Sequence, residues 1–267
     1  GTGKAALMPF HRWLPAAMVA PTPVSALLHA VAVVKAGVFV VLKLSIYVFG
    51  LDLLKTLATA DFMLYVATFT MLVASLVALH QDNLKSRLAY STVSQLSYIV
   101  VGALLATEMA AIGGGMHMAM HGFGKITLFF CAGAIYLASG KTRVSELDGL
   151  GRQMPITMAA FLLGGLCVIG LPPLGGLWSK WHLVMGSFDA GKPFVLAAFL
   201  LSTLLNIAYL LPPAVRAFLA KPPADQPPGV REAPLACVVP LGLTALGSVL
   251  LFFGAGLSYG LMGRVFE

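Results

Sequence analysis

Gly170-Leu171-Pro172-Pro173-Leu174-Gly175-Gly176-Leu177-Trp178-Ser179-Lys180 lies in the middle of an apolar stretch that runs from Pro155 to Met185. The stretch is long enough to cross a bilayer, which takes about 20 apolar residues at 1.5 Å each. Its centre, however, cannot hold an unbroken helical ladder. Proline has no N–H to give, and glycine does not favour the helix. Broken backbone at membrane depth is tolerated only where it lines a protein-enclosed or wet cavity. Gly170, Pro172, Pro173, Gly175 and Gly176 therefore mark a helix break, and Lys180 follows it directly.

Three further lysines, Lys4, Lys35 and Lys125, are flanked by Ala, Leu, Val, Ile, Phe and Gly in the same way. An ammonium in hydrocarbon costs several kcal/mol, so each is expected to face a wet interior path, as ion-moving membrane proteins require. The opening segment repeats the pattern of the break, with Gly1 and Gly3 before Lys4 and Pro9 after it. Two broken segments in corresponding places point to internal repeats.

Composition agrees with a polytopic membrane protein: 59% of the chain is hydrophobic and 10% charged. Hydropathy gives a half-span over Gly1–Val19 and full spans over Pro23–Phe49, Phe62–Leu79, Leu88–Leu105, Ala110–Ala138, Pro155–Met185, Phe194–Leu219 and Pro234–Leu261. The longest linker, Lys221–Ala233, is rich in proline and charge and too short for a soluble domain. Gly1 falls inside a motif, without initiator Met or signal peptide, so the chain is expected to be the C-terminal part of a longer protein.

The net charge of +7 does not point to nucleic acid. Lys85, Arg87, Lys141, Arg143, Arg152, Arg216, Lys221 and Arg231 lie in turns on one side, with Arg12 before the first full span. The other side has only Lys43, Lys55, Lys192 and Arg264. That asymmetry is the signature of a cytoplasmic face. Cys131, Cys167 and Cys237 lie apart in apolar segments with no metal-ligand spacing, so neither an iron–sulfur cluster nor a zinc site is encoded. No cofactor site is expected. Redox chemistry, if any, belongs to another chain, and no hydrolytic site is expected here.

His117, His121 and Lys125 recur every four residues, which stacks them on one helix face with about 6 Å of rise per step. Such a column suits water-bridged proton transfer, although histidines also serve as interhelical hydrogen-bonding groups. A zinc reading fails because Met118 stands where HExxH has its glutamate. His29 and Lys35 are about 9 Å apart along a helix and roughly 120° apart around it, so they touch two successive parts of a path. All ten Asp and Glu residues fall in turns, at span ends or at the terminus. The intramembrane lysines thus lack a carboxylate partner on this chain: missing spans supply one, or the lysines shuttle between charged and neutral forms. Gly1-Thr2-Gly3-Lys4 is not a phosphate loop, because the first glycine and the final hydroxyl residue are missing.

The string Lys4 to Leu7, Pro9, His11, Trp13-Leu14-Pro15, Ala17-Met18, Ala20-Pro21-Thr22-Pro23-Val24-Ser25-Ala26-Leu27-Leu28-His29 and Val34-Lys35-Ala36-Gly37 resembles the signature of the antiporter-like membrane subunits. These are shared by respiratory complex I (NADH-quinone oxidoreductase) and the Mrp-type multisubunit Na+/H+ antiporters. Asp82-Asn83-Leu84-Lys85, Leu88-Ala89-Tyr90-Ser91-Thr92, Ser94-Gln95, Tyr98, the His117/His121/Lys125 span and Gly170-Leu171-Pro172-Pro173 with Gly176 and Ser179-Lys180 resemble its later motifs.

The resemblance implies an all-α fold of fourteen transmembrane helices with two inverted five-helix repeats and discontinuous helices. This chain would run from mid-helix seven to helix fourteen. Residues 1–60 would end the first repeat, 61–220 form the second and 221–267 carry the final helix, all in one transmembrane domain. Lys4 resembles the lysine of the first broken helix, Lys180 the ionisable residue of the second, and Lys125 the lysine bridging two half-channels. The family's glutamate on the fifth helix has no counterpart here. The implied partners are other membrane subunits, the lipid bilayer, H+ and in some members Na+, in a bacterial inner membrane. The lack of a long amphipathic arm after Leu261 leans toward a D-like subunit of the Mrp type. The alternatives are a proton-pumping subunit of complex I or a related hydrogenase, and a non-conducting scaffold.

Overall fold

The computed structural model describes residues 1–28, 32–223 and 229–266. The chain opens in turns, then forms α1 (Trp13–Ala16), a 3-10 turn (Ala17–Val19), α2 (Thr22–Ala26), α3 (Val33–Lys43), a π-helical turn (Leu44–Phe49) and α4 (Leu51–Thr56). Next come α5 (Ala58–His80), α6 (Leu84–Leu104), α7 (Glu108–Ser139), α8 (Pro155–Ile169), α9 (Gly176–Asp189), α10 (Pro193–Leu219), α11 (Leu235–Phe253) and α12 (Ala255–Gly263). The described residues form no β-strand; the one β-bridge pairs Asn83 with Arg143. Among them, α5, α7, α10 and α11 are each long and apolar enough to cross a membrane alone.

Local chemistry sets the helix ends. The Asn83 side chain accepts from the Ser86 amide at the start of α6, and the Thr107 hydroxyl accepts from the Ala110 amide at the start of α7. Prolines occupy the first turns of α8 and α10, where a missing N–H costs nothing. The start of α8 takes a further partner from the distant linker: Glu232 accepts from the amides of Ile156 and Thr157 and from the Thr157 hydroxyl.

The break expected between Pro155 and Met185 is present, with α8 ending at Gly170 in a left-handed conformation (φ +91°) and α9 starting at Gly176. The opening segment Gly1–Val19, expected as a broken half-span, is irregular at its start and helical only near its end. Turns and irregular chain run to Arg12, where Gly1, Gly3 and Pro9 interrupt any helical ladder. Over the expected span Pro23–Phe49 the described residues form α2, α3 and a π-helical turn continuous with α3, and the short helix α4 was not foreseen. His29 lies outside the described residues. The last span bends at Gly254, between α11 and α12.

The helices differ in what they bury. α6 is the interior helix: from Leu88 to Ala103 nearly every residue is buried, including Ser91, Thr92, Ser94, Gln95 and Ser97. α5, α10 and α11 expose Phe62, Phe69, Leu200, Leu204 and Leu243 on their outer faces. α7 and α9 cross closely around Gly186, where an added Cβ would lie 2.4 Å from the Ala110 nitrogen. That crossing brings the post-break lysine beside the histidine column.

Candidate functional site: a buried lysine and histidine axis

The column foreseen on α7 exists. His117, His121 and Lys125 are all buried, and the two imidazoles stack with centroids 5.6 Å apart at 23°. Tyr98 of α6 stacks on the other face of His117, also at 5.6 Å. The three rings form a pile with a lysine at each end. Lys180 Nζ sits 4.8 Å from the Tyr98 ring centroid, a cation–π contact. Lys35 Nζ, from α3, lies 2.7 Å from His121 Nδ1.

Each lysine is supplied with acceptors that carry no formal charge. Lys180 reaches back across the break and donates to the carbonyl of Ile169, the last residue of α8, at 3.1 Å. A helix C-terminus presents unpaired carbonyls with partial negative charge, so it favours a cation without a carboxylate. Lys125 donates to the Ser91 hydroxyl at 2.6 Å and to the Leu88 carbonyl at 3.2 Å. The ion pairs formed by the described residues, Lys55–Asp52, Lys192–Asp61 and Arg216–Asp148, all lie away from this axis.

Neutral polar side chains complete the connections. His117 Nε2 lies 3.1 Å from Gln95 Oε1, and its Nδ1 lies 2.9 Å from the Ser179 hydroxyl. The Asn206 amide on α10 satisfies its neighbours in one orientation. Its oxygen accepts from Lys180 Nζ at 3.0 Å and from Gln95 Nε2 at 2.9 Å, and its nitrogen donates to the Ser202 carbonyl and the Tyr209 hydroxyl. The hydroxyls of Ser75, Ser94 and Ser202 cluster beside it, with Ser75 2.8 Å from Ser94 and 3.2 Å from Ser202. His121 Nε2 is buried with no hydrogen-bond partner among the described residues.

Lys35, His117, His121, Lys125 and Lys180 thus come together. Lys4 does not join them: it is exposed, although the next residues, Ala5 to Leu7, are buried where the opening segment crosses α3 at Gly37. Gly3 is exposed on the same segment, and Gly170, Pro172, Pro173, Gly175 and Gly176 form the break that orients Lys180. Sequence reasoning assigned no role to Asn206, Ser179 or Gln95. A signal for part of this existed, since Ser91, Ser94, Gln95 and Tyr98 recur at helical spacing and so share one face of α6. Asn206 is an uncharged polar residue in an apolar helix, which hydropathy averages away. A cleft of about 760 Å³ lies elsewhere, walled by Pro21, Leu84, Phe130, Tyr136, Cys237 and Pro240, and contains none of the axis residues.

The family model described as NADH:quinone oxidoreductase/Mrp antiporter, TM, matches residues 2–206. NADH-quinone oxidoreductase subunit N of Desulforudis audaxviator is 35% identical over 262 residues, covering 93% of this chain and 52% of that protein. The probable K(+)/H(+) antiporter A/B subunit of Rhizobium meliloti is 34% identical over 257 residues, covering 93% of this chain and 25% of that protein. Among solved structures, a chain of the Mrp complex from Dietzia superposes with a TM-score of 0.90 at 22% identity, over 99% of this chain and 56% of that one. A chain of respiratory complex I from Thermus thermophilus gives 0.82 at 22% identity, over 100% of this chain and 57% of that one. At that identity the two superpositions speak for the fold alone. The chain spans about half the length of these two chains and of the subunit N relative, and a quarter of the antiporter one.

Proposed function

The chain belongs to the NADH:quinone oxidoreductase/Mrp antiporter transmembrane family, and from that premise we propose that it translocates protons along the Lys35, His121, His117, Lys125 and Lys180 axis as a subunit of an Mrp-type cation/proton antiporter. It is an integral, multi-pass membrane protein, and our reading places it in a bacterial inner membrane beside other membrane subunits. The observation that carries the proposal is the axis itself. Half-buried Lys35 and buried Lys125 and Lys180, from three separate helices, gather around two buried histidines, and each lysine is held by neutral groups rather than by a carboxylate. A fixed structural cation is ordinarily paired with an anion. Lysines held by carbonyls and hydroxyls are suited to losing and regaining a proton through neighbouring water.

A proton-pumping subunit of an NADH-quinone oxidoreductase or a related hydrogenase complex is the second reading, favoured by the 35% identity to subunit N. The two readings share the axis and differ in the driving reaction. A scaffold subunit would need the axis only for packing.

The test uses the full subunit in its assembled complex, reconstituted in vesicles. Lys180→Ala is expected to abolish proton movement while the complex remains assembled and inserted. Full transport by Lys180→Ala would refute the role. In active vesicles, proton flux driven by a Na+ or K+ gradient supports the antiporter, whereas flux that requires electron transfer to quinone supports the second reading.

A further inference from the structure

The link between Lys180 and His117 runs through two carboxamides, and carboxamides transmit orientation without transmitting protons. Lys180 Nζ donates to the Ile169 carbonyl at 3.1 Å, faces the Tyr98 ring at 4.8 Å and meets the Asn206 oxygen at 3.0 Å. The Asn206 oxygen is therefore turned toward the lysine. The same oxygen accepts from Gln95 Nε2 at 2.9 Å, which leaves Gln95 Oε1 facing His117 Nε2 at 3.1 Å. A carbonyl oxygen only accepts, so His117 Nε2 carries a hydrogen.

The consequence falls on the other ring nitrogen. In the neutral imidazole Nδ1 is an acceptor, and it takes the hydroxyl hydrogen of Ser179 at 2.9 Å. When Nδ1 is protonated it donates to Ser179 Oγ instead, and the Ser179 hydroxyl turns to the Gly176 carbonyl at 3.1 Å, in the first turn after the break. Ser179 thus has a partner for either state of His117.

We propose that Gln95 and Asn206 are positioning residues that form an amide barrier: they hold a hydrogen on His117 Nε2 and prevent a proton from passing directly between His117 and Lys180. His117 then gains and loses its mobile proton at Nδ1 alone. A proton binding there forms an N–H bond and an imidazolium. The same bond breaks when the proton leaves, and the Nε2–H bond stays intact throughout, because a carboxamide does not titrate at accessible pH. Lys180 and His117 sense each other's charge and orientation across this link, while the transported proton passes between His117 Nδ1 and Lys180 only through water and not through the two amides. The inference rests on the proton route proposed above.

Solid-state nitrogen NMR of the assembled complex in vesicles, with labelled histidine, reads the barrier in the wild-type protein. The His117 signals are identified by their loss in His117→Gln. Hydrogen on Nε2 at neutral pH is the expected result, and an Nε2 without hydrogen overturns the proposal. Gln95→Glu places beside Nε2 a carboxylate that can accept its proton. Passive proton flux down a pH gradient is expected to rise roughly a hundredfold, the low end of what a positioned proton-transfer group contributes. Gln95→Met, of similar length and without an acceptor, is expected to give no rise. Unchanged flux in an assembled Gln95→Glu complex, or an equal rise in Gln95→Met, overturns the barrier. Hydrogen on Nε2 together with full transport by Lys180→Ala sinks the proton route and leaves the amide arrangement standing, so the two failures are distinguishable.

Discussion

Lys125 is fully buried, with the Ser91 hydroxyl and the Leu88 carbonyl as acceptors, and whether it carries a proton or only a charge is testable by substitution. Guanidinium stays charged at any accessible pH, so Lys125→Arg keeps the cation and removes its deprotonation. If the lysine relays protons, Arg stalls the flux as completely as Ala does. Flux retained in Lys125→Arg but lost in Lys125→Ala, at equal assembly in the same vesicles, would leave a purely electrostatic role. Ser91→Ala supplies a milder perturbation, because it removes the closest acceptor and leaves the lysine. Its flux is expected to fall by less than that of Lys125→Ala. The histidine column was legible in the sequence because its spacing is helical and local. The pairing of Lys35 with His121 was not, because it joins side chains 86 residues apart and depends on how α3 packs.

Among the elements, the α7 and α9 crossing sets where Lys180 meets the ring pile. Gly186→Ala would place a Cβ 2.4 Å from the Ala110 nitrogen and must open the crossing, at a cost of about 1–3 kcal/mol for overpacking. A surface control separates this from helix propensity: Gly242 in α11 has nothing within 4 Å of an added Cβ, so Gly242→Ala gains a little helix stability. Thermal unfolding in detergent is expected to show Gly186→Ala melting several degrees below the parent and Gly242→Ala at or above it. Equal melting temperatures for the pair would mean that the crossing yields without cost. The break between α8 and α9 was legible because proline and glycine act through their own backbone. The π-helical turn that ends α3 was not, since hydropathy records apolar composition and is blind to hydrogen-bond register. Outside the membrane-spanning segments, Asp82 accepts from the amide and hydroxyl of Ser145, which lowers its carboxyl below the ordinary value of 3.8. A lowered folded value means the clasp stabilises fully above that ordinary value and is lost as pH falls through the lower, folded one. Protection of the Ser145 amide, taken against the intrinsic exchange rate at each pH, should be lost only below it. Loss of that protection at mildly acidic pH would assign the clasp to another group.

At the scale of the molecule, the turns grouped by their basic residues are joined to one another in space. Asp82 before α6 binds Ser145, Asp148 binds Arg216 near the end of α10, and the Arg231 amide donates to the Gln153 carbonyl. On the opposite end, Lys192 before α10 pairs with Asp61 in the first turn of α5. The two groups of basic residues therefore occupy two different ends of the bundle, so the charge asymmetry acts on the molecule as a whole. Basic turns are retained on the cytoplasmic side, where anionic lipid adds about 1 kcal/mol per cation. Substituting Lys141→Cys or Lys221→Cys should create sites that a membrane-impermeant maleimide labels only from the cytoplasmic side. Lys55→Cys and Lys192→Cys should label only from the other side. Cys131 and Cys167 are buried and add little background, while Cys237 is partly exposed and is best replaced by serine first. The reverse pattern would invert the axis, placing the Lys180 break at the opposite depth relative to the proton gradient and reversing the direction in which His117 Nδ1 is loaded.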